Sequence, residues 1–281
     1  YTKTAAQMRQ DIRESFLRNM EISPAIPTSD GTWIRSFAPW TGHLGPICLY
    51  AEGGMAFTHG SFTLRDLLGA NYLVLQGVID PEEPITEEIL AFYSELMTVN
   101  NVAFSQPYYS IHPYIQLMRG EVKLFLEEFY CGLASLADRE TYSFWEHYFL
   151  ASPHKLHEEG WFLMRCRWML ALEEYDKENL RLLAGVPRAW LENGKRISVE
   201  HIKTYYGDVS FTVDSQVHSG TIHVTVELDD KGFPPAKTVI VRLPHPKGLK
   251  AKQVTAGKYD PSTETVVLEH FSGKVEFDII F

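Results

Sequence analysis

The chain has 281 residues, of which 45% are hydrophobic and 22% are charged, and its formal net charge at pH 7 is −10. This composition excludes an intrinsically disordered protein. The acidic charge argues against a nucleic-acid partner, which would need clustered Lys and Arg. No apolar run approaches the ~18 residues that a membrane-spanning helix needs, so the sequence predicts no membrane partner.

The apolar residues of the first half recur with a helical period. Residues 63–78 and 84–99 show this spacing, and the apolar side chains of residues 121–136 fall on one stripe. The segment 153–175 is apolar on nearly all sides, which predicts a helix that is buried on most sides. Ser152 is its predicted N-cap, because Ser followed by Pro is a common helix start.

After about residue 180 the period of the apolar residues changes to two. In TIHVTVEL, residues 221–228, apolar and polar residues alternate, and turn residues follow in DDKG and PHPKG. This half is predicted to be an antiparallel β-sandwich with one solvated face. The sequence therefore predicts a helical domain over residues 1–178 and an antiparallel β domain over residues 179–281.

The junction between the two halves resembles part of a known superfamily. The segment GVPRAWLENGKRISV, with YYGDVSFTV soon after it, is similar to the point where six-hairpin glycosidase-like enzymes leave their last barrel helix and enter a C-terminal sheet. The chain also resembles the C-terminal portions of uncharacterised bacterial proteins described as glycoside hydrolases. The resemblance implies an α+β two-domain fold, in which an (α/α) toroid, complete or partial, precedes a β-sandwich. Because too few helices are predicted for a full ring, an N-terminal half or a partner subunit is expected to complete it.

Titratable side chains concentrate between residues 146 and 159, beside two tryptophans. The candidates in this segment are Glu146, His154, His157, Glu158 and Glu159, followed by Trp161. Glycoside hydrolysis needs two carboxyl groups, one protonated as the proton donor and one ionised. An aromatic wall raises the pKa of a nearby acid, which suits the donor. His157 and Trp161 are four residues apart and would share a helix face.

The same segment has a purely structural interpretation. Acidic residues near a helix start stabilise the helix dipole, and loop histidines bind backbone carbonyl groups.

Zinc sites on helices commonly use the HExxH spacing, which is absent. The sequence therefore predicts no metal site.

A second group of candidates lies in the long loop of residues 21–60. Trp33, Arg35, Trp40 and His43 occur in DGTWIRSFAPWTGHLGP, and loops longer than ~12–15 residues are usually functional. In the toroid enzymes that the chain resembles, such loops form the substrate funnel, with Trp as a sugar platform and Arg binding a hydroxyl or carboxylate. The alternative is a loop anchored to the domain by two buried tryptophans.

A third group lies in NNVAFSQPYYSIHPY. Tyr108, Tyr109 and His112 are similar in type to the residues of toroid polysaccharide lyases, in which Tyr or His removes a proton beside a uronate carboxylate. The more favoured interpretation of these tyrosines is a wall of a sugar subsite.

From these residues we expect a carbohydrate-active hydrolase that cleaves glycosidic bonds by carboxylate acid/base catalysis without a cofactor. Glu158 is the expected proton donor and Glu146 or Glu159 its partner, while the histidines and tryptophans bind an oligo- or polysaccharide. A polysaccharide lyase and a non-catalytic glycan-binding or scaffold subunit are the alternatives. The compartment is left open, with a secreted or periplasmic location favoured.

Overall fold

The structure is a computed structural model that describes residues 2–37, 70–96, 98–99, 102–103, 111–146, 152–174 and 177–281. The chain divides into two compact units, Tyr1–Arg165 and Cys166–Phe281. This division falls before the boundary that the sequence predicted at residues 178 and 179. Within the described ranges, no helix is both long and apolar enough to cross a membrane.

Six α-helices are present in the described residues. In chain order the helices are α1 (Thr2–Ile22), α2 (Asn71–Leu75), α3 (Pro84–Leu96), α4 (His112–Met118), α5 (Val122–Leu136) and α6 (Leu156–Leu170). Two hairpins of two-residue strands pair β1 (Ile26–Pro27) with β2 (Trp33–Ile34) and β3 (Thr98–Val99) with β4 (Val102–Ala103).

Aromatic side chains form the centre of the first unit. The ring centroid of Phe37 lies 4.1 Å from that of Phe92, 5.3 Å from that of Phe16 and 5.8 Å from that of Tyr93. These residues come from α1, α3 and the segment after β2. Each fully buried side chain of this size contributes about 1.5–3 kcal/mol, so this contact fixes the two helices on one core.

The (α/α) toroid expected from the resemblance is wrong, because no such ring is evident in the described parts of the chain. The described helices are six and unequal, with five residues in α2, seven in α4 and 21 in α1. The fold is instead α+β with mostly antiparallel sheets. Hydrophobic periodicity detects helices but does not show how they pair. The segment that carries the resemblance, GVPRAWLENGKRISV, lies in the second unit and not in the helical one. The expectation of a partner that completes the ring loses its basis with the toroid.

Three of the predicted helices are found with changed bounds. Helix α3 starts at Pro84, as predicted, and ends at Leu96. Helix α5 confirms the apolar stripe of residues 121–136. Of residues 63–78, the structure describes only the part from residue 70 onward, where α2 is five residues long.

Helix α6 differs from its prediction both in its length and in the side chains that it buries. It begins at Leu156 rather than at Pro153, and the chain turns into a strand at Ala171. Its exposed side carries Leu156 and Leu163, whose side chains are 78% and 66% exposed. Its buried side carries Glu158 and Arg165, both fully buried. The helix therefore buries charged residues and exposes leucines, which composition alone could not reveal.

The second unit contains two five-stranded sheets. The strands are β5 (Ala171–Glu174), β6 (Asn179–Leu182), β7 (Arg196–Thr204), β8 (Gly207–Gln216), β9 (Thr221–Asp229), β10 (Thr238–Arg242), β11 (Gln253–Val254), β12 (Lys258–Asp260), β13 (Thr265–Glu269) and β14 (Gly273–Ile280), with a 3-10 helix at Arg188–Leu191. The strand orders of the two sheets are β12-β13-β10-β6-β5 and β11-β14-β9-β8-β7.

The predicted alternation is confirmed in β9, where Ile222, Val224, Val226 and Leu228 are buried and the residues between them are not. One pairing departs from the purely antiparallel prediction, because β6 and β10 are parallel. These strands are far apart in sequence, and an alternating pattern gives no information on strand direction. The β unit is therefore mostly antiparallel.

Two glycines with the same backbone conformation provide a test of the β unit. Gly257 has φ +75° and a Cβ there would lie 2.7 Å from the carbonyl oxygen of Val267, whereas Gly248 has φ +74° and open space around it. We expect Gly248→Ala to lower the free energy of unfolding by about 1 kcal/mol through backbone strain alone. Gly257→Ala should cost roughly 1–3 kcal/mol more because of the clash. Urea unfolding measures both, and equal losses would contradict the close approach at Gly257.

Candidate active site

Two backbone hydrogen bonds bring together the segments on either side of the candidate site. The N–H of Glu146 donates to the carbonyl of Ser152 at 2.9 Å, and the N–H of Lys155 donates to the carbonyl of Phe144 at 3.0 Å. As a result, Lys155 Nζ lies 2.8 Å from Glu146 Oε1, in an ion pair whose side chains are both partly buried. The positive charge of Lys155 therefore lies just before α6.

Glu158 lies in the first turn of α6, and its side chain is fully buried. Neither of its carboxyl oxygens has a hydrogen-bond partner among the described residues. Burial raises the pKa of Glu158 to about 7, while its own backbone N–H and the charge of Lys155 act against this and Glu146 adds to it. A carboxyl group without a bonded cation takes up a proton instead of remaining charged. Near pH 7, Glu158 is therefore about half protonated, whereas a carboxyl of ordinary pKa would have lost its proton.

His157 and Trp161 are hydrogen-bonded across one turn of α6, which confirms that they share a helix face. The indole N–H of Trp161 donates to His157 Nε2 at 3.0 Å. Because an indole N–H can only donate, Nε2 accepts and the proton of neutral His157 is on Nδ1. Burial lowers the pKa of His157, and the charge of Lys155 lowers it further while Glu146 opposes the change. The imidazole is therefore neutral at pH 7.

His157 Nδ1 lies 3.6 Å from Glu158 Oε2. This separation exceeds a hydrogen bond but lets a small movement form one. Five residues therefore form one group, which we name the Glu158 cluster: Glu146, Lys155, His157, Glu158 and Trp161. The cluster holds a buried carboxyl with a raised pKa, a carboxylate paired with a lysine, and a neutral imidazole. These are the components of proton transfer between an acid and a base.

The two other candidates of this segment lie apart from the Glu158 cluster. Glu159 follows Glu158 on the helix, and consecutive helical side chains diverge by about 100°, so its side chain leaves from another part of the surface. His154 is exposed, with φ +55°. The structure does not bring His154 to the buried carboxyl.

Trp33 and Arg35 are on the first unit, in and just after β2. Trp33 is 68% exposed, so it does not anchor the loop as a buried tryptophan would. Arg35 donates from Nε and Nη2 to the two carboxyl oxygens of Glu88, both at 2.5 Å. The guanidinium of Arg35 is therefore bound to a carboxylate of α3. Trp40 and His43 lie outside the described residues.

His112 is the one lyase candidate that the structure describes, since Tyr108 and Tyr109 fall outside the described residues. Its ring is buried at the start of α4, where its Nδ1 is 3.3 Å from Asn71 Nδ2. Burial, together with the charge of Arg165, lowers the pKa of His112 to about 4. A base so deeply buried and so weak is poorly suited to remove a proton from a polysaccharide.

Sequence reasoning did not identify the buried ion pair beside this site. Arg165 Nη2 lies 3.3 Å from Glu128 Oε1, and both side chains are fully buried. Arg165 is seven residues after Glu158, so the two lie on the same face of α6. Charged residues at core-facing positions of α5 and α6 were the available indication, since buried charges are rare unless paired. Lys155 gave no comparable indication, because its partner depends on a tertiary contact.

Across the ranges that the structure describes, no three His, Cys, Asp or Glu side chains are grouped so that they could hold a metal ion. The Glu158 cluster is therefore described through its own acids and bases. His147, which lies close to His154 and His157 in the sequence, falls outside the described residues.

Fold and site together define an α+β protein with a helical unit, a mostly antiparallel β unit and a buried acid–base cluster at the start of α6. No protein-family model matches the chain, and no curated protein matches it.

The buried carboxyl predicts how stability depends on pH. Because the pKa of Glu158 is about 7 in the folded protein against an ordinary 4.5, the folded state binds more protons between these two pH values. Stability is therefore lost as pH rises through this window. Between pH 4.5 and pH 8, we expect the free energy of unfolding of wild type to fall by about 3 kcal/mol relative to that of Glu158→Gln.

Denaturant unfolding of wild type, Glu158→Gln and Glu159→Gln at several pH values measures this effect. Glu159→Gln is the matched control, because Glu159 is the partly exposed neighbour of Glu158 and the substitution removes the same kind of carboxyl group. Parallel pH profiles for wild type and Glu158→Gln would contradict the buried, protonated carboxyl.

Proposed function

We propose that the chain is a hydrolase that cleaves glycosidic bonds at the Glu158 cluster. In this proposal Glu158 donates its proton to the leaving oxygen, and Glu146 is the second, ionised carboxylate. The observation that carries the proposal is the fully buried Glu158 carboxyl, whose pKa is raised to about 7. A glycosidase needs an acid of this kind, because a carboxyl of ordinary pKa has already lost its proton at neutral pH.

Two carboxyl groups in unlike surroundings support the division of roles. Glu158 has no bonded cation among the described residues, whereas Glu146 is paired with Lys155 at 2.8 Å. Burial favours the protonated form of Glu158, whereas Glu146 is held in an ion pair with Lys155. Cleavage at an acetal carbon requires one carboxyl group that donates a proton and a second that is ionised.

His157 and Trp161 take positioning roles in this proposal. The Trp161 indole is hydrogen-bonded to His157 and packs against the buried residues of the first unit, so we assign it to holding the imidazole rather than to stacking a sugar. The Nδ1–H of His157 then points toward Glu158, where it can stabilise the carboxylate that forms when the proton leaves.

The burial of Glu158 places a requirement on the reaction. A proton donor must come within about 2.6–3.2 Å of the leaving oxygen, and the Glu158 side chain is fully covered. Binding of the saccharide must therefore uncover this carboxyl. No observation on the described residues favours the lyase alternative.

Leaving-group dependence tests the role of Glu158. We expect Glu158→Gln to lower kcat/KM by roughly 10²–10⁴-fold on alkyl glycosides, whose leaving oxygen needs a proton. The loss in kcat/KM should be much smaller on dinitrophenyl glycosides, because the dinitrophenolate group leaves without being protonated. Glu146→Gln should lower kcat/KM on both kinds of substrate, and Glu159→Gln should remain near wild type. Steady-state kinetics on a panel of glycosides measures these ratios.

The pH profile provides a second readout in the same assay. In wild type, kcat/KM should fall as pH rises through about 7, because Glu158 then loses its proton. Equal losses by Glu158→Gln on both leaving groups, or full activity of Glu158→Gln and Glu146→Gln, would contradict the proposal. Saccharide binding without turnover by wild type would instead support the non-catalytic glycan-binding alternative.

A further inference from the structure

A second concentration of charge lies in the β unit, around the carboxylate of Glu264. This side chain, just before β13, is 7% exposed. Arg188, from the 3-10 helix, donates to both of its oxygens, with Nη1 3.1 Å from Oε1 and Nη2 bonded to Oε2. Lys250 Nζ lies 3.5 Å from Oε1. Two cations therefore contact one nearly buried carboxylate.

Arg242 adds a third cation to this carboxylate. Its Nη1 donates to the carbonyl of Val186 at 2.9 Å, and its charge acts on Glu264 from within the same unit. Burial lowers the pKa of Arg242 to about 10, Glu264 opposes the change, and the like charge of Arg188 adds to it. The single carboxylate does not compensate all of the positive charge around it.

His245 completes the group without adding an anion. Its backbone carbonyl accepts from Arg188 Nη1 at 2.7 Å, and its Nδ1 accepts the N–H of Lys247 at 3.0 Å. Burial lowers the pKa of His245, as do the charges of Lys247 and Arg188, so the ring is neutral with its proton on Nε2. The imidazole therefore presents a donor. We name the five residues Arg188, Arg242, His245, Lys250 and Glu264 the Glu264 cluster.

The charge of this cluster is opposite to that of the whole chain. Among the described residues, three cations share one carboxylate, which leaves two positive charges without a described counter-charge in a protein whose formal net charge is −10. Partly buried cations without a counter-charge are unfavourable, and an added anion would relieve their repulsion. Guanidinium groups also bind oxyanions through two parallel hydrogen bonds.

We propose that the Glu264 cluster binds an oxyanion group of a ligand, namely the carboxylate or sulfate of an acidic saccharide. Arg242 and Lys250 supply the charge, and Arg188 is held in place by Glu264. The existence of an oxyanion site is independent of the Glu158 cluster, which lies in the other unit. The assignment to a saccharide rests on the proposed hydrolase function.

Sulfate binding by calorimetry tests the oxyanion site, with chloride at matched ionic strength as the reference. Lys250→Gln is the principal variant, because Lys250 is half exposed and its described side-chain contact is the ion pair with Glu264. We expect it to weaken sulfate binding by about fivefold to tenfold, since it removes one charge near the anion. Lys231→Gln, which removes an exposed lysine from the turn after β9, should bind sulfate as wild type does.

Glu264→Gln separates anion binding from a purely structural role. If it folds, as circular dichroism would show, sulfate should bind more tightly, because the competing carboxylate is gone. Arg242→Gln should weaken binding in parallel with Lys250→Gln. Equal effects of sulfate and chloride, or equal binding by Lys250→Gln and Lys231→Gln, would overturn the site.

A further comparison identifies the source of the oxyanion. Oligogalacturonate should bind wild type more tightly than its neutral methyl ester, and the difference should shrink in Lys250→Gln. If sulfate and phosphate bind through Lys250 but oligogalacturonate does not, the oxyanion site stands and the saccharide assignment is overturned. Glu158→Gln should bind sulfate like wild type, so that loss of hydrolase activity and loss of this site are distinguishable.

Discussion

The desolvation of a single carboxyl group determines the chemistry of the helical unit. Helix α6 buries Glu158 and Arg165 on one face and exposes leucines on the other. Arg165 is compensated by Glu128 at 3.3 Å, but Glu158 has no bonded cation among the described residues. Since a buried charge without a partner is costly, the group remains protonated to about pH 7. The same burial that makes Glu158 an acid also makes it a source of instability at alkaline pH.

The rest of the Glu158 cluster follows from the short-range geometry around the start of α6. Two backbone hydrogen bonds hold Glu146 next to Lys155, and one helical turn joins His157 to Trp161. A neutral imidazole, a paired carboxylate and a protonated carboxyl are therefore placed together by local structure. The β unit shows the opposite arrangement, because its nearly buried carboxylate, Glu264, has three cations around it. The expected complement of these cations is an external anion.

Much of the local structure could be predicted from the sequence, because it depends on residues close together in the chain. The alternation of β9, the start of α3 at Pro84 and the helix face shared by His157 and Trp161 are of this kind. Features that depend on distant residues were not predictable. The parallel pairing of β6 with β10 is one example. The burial of Glu158 and Arg165 in α6 and the missing toroid are others, since periodicity does not say which partner a helix meets.

The most direct measurement is the titration of Glu158 itself. Carbon-13 NMR of the glutamate carboxyl groups, with the Glu158 resonance identified by its loss in Glu158→Gln, gives the pKa in the folded protein. We expect a midpoint at about 7, against an ordinary 4.5. A midpoint near the ordinary value would show that the carboxyl is solvated or paired, and the acid role proposed for it would be contradicted.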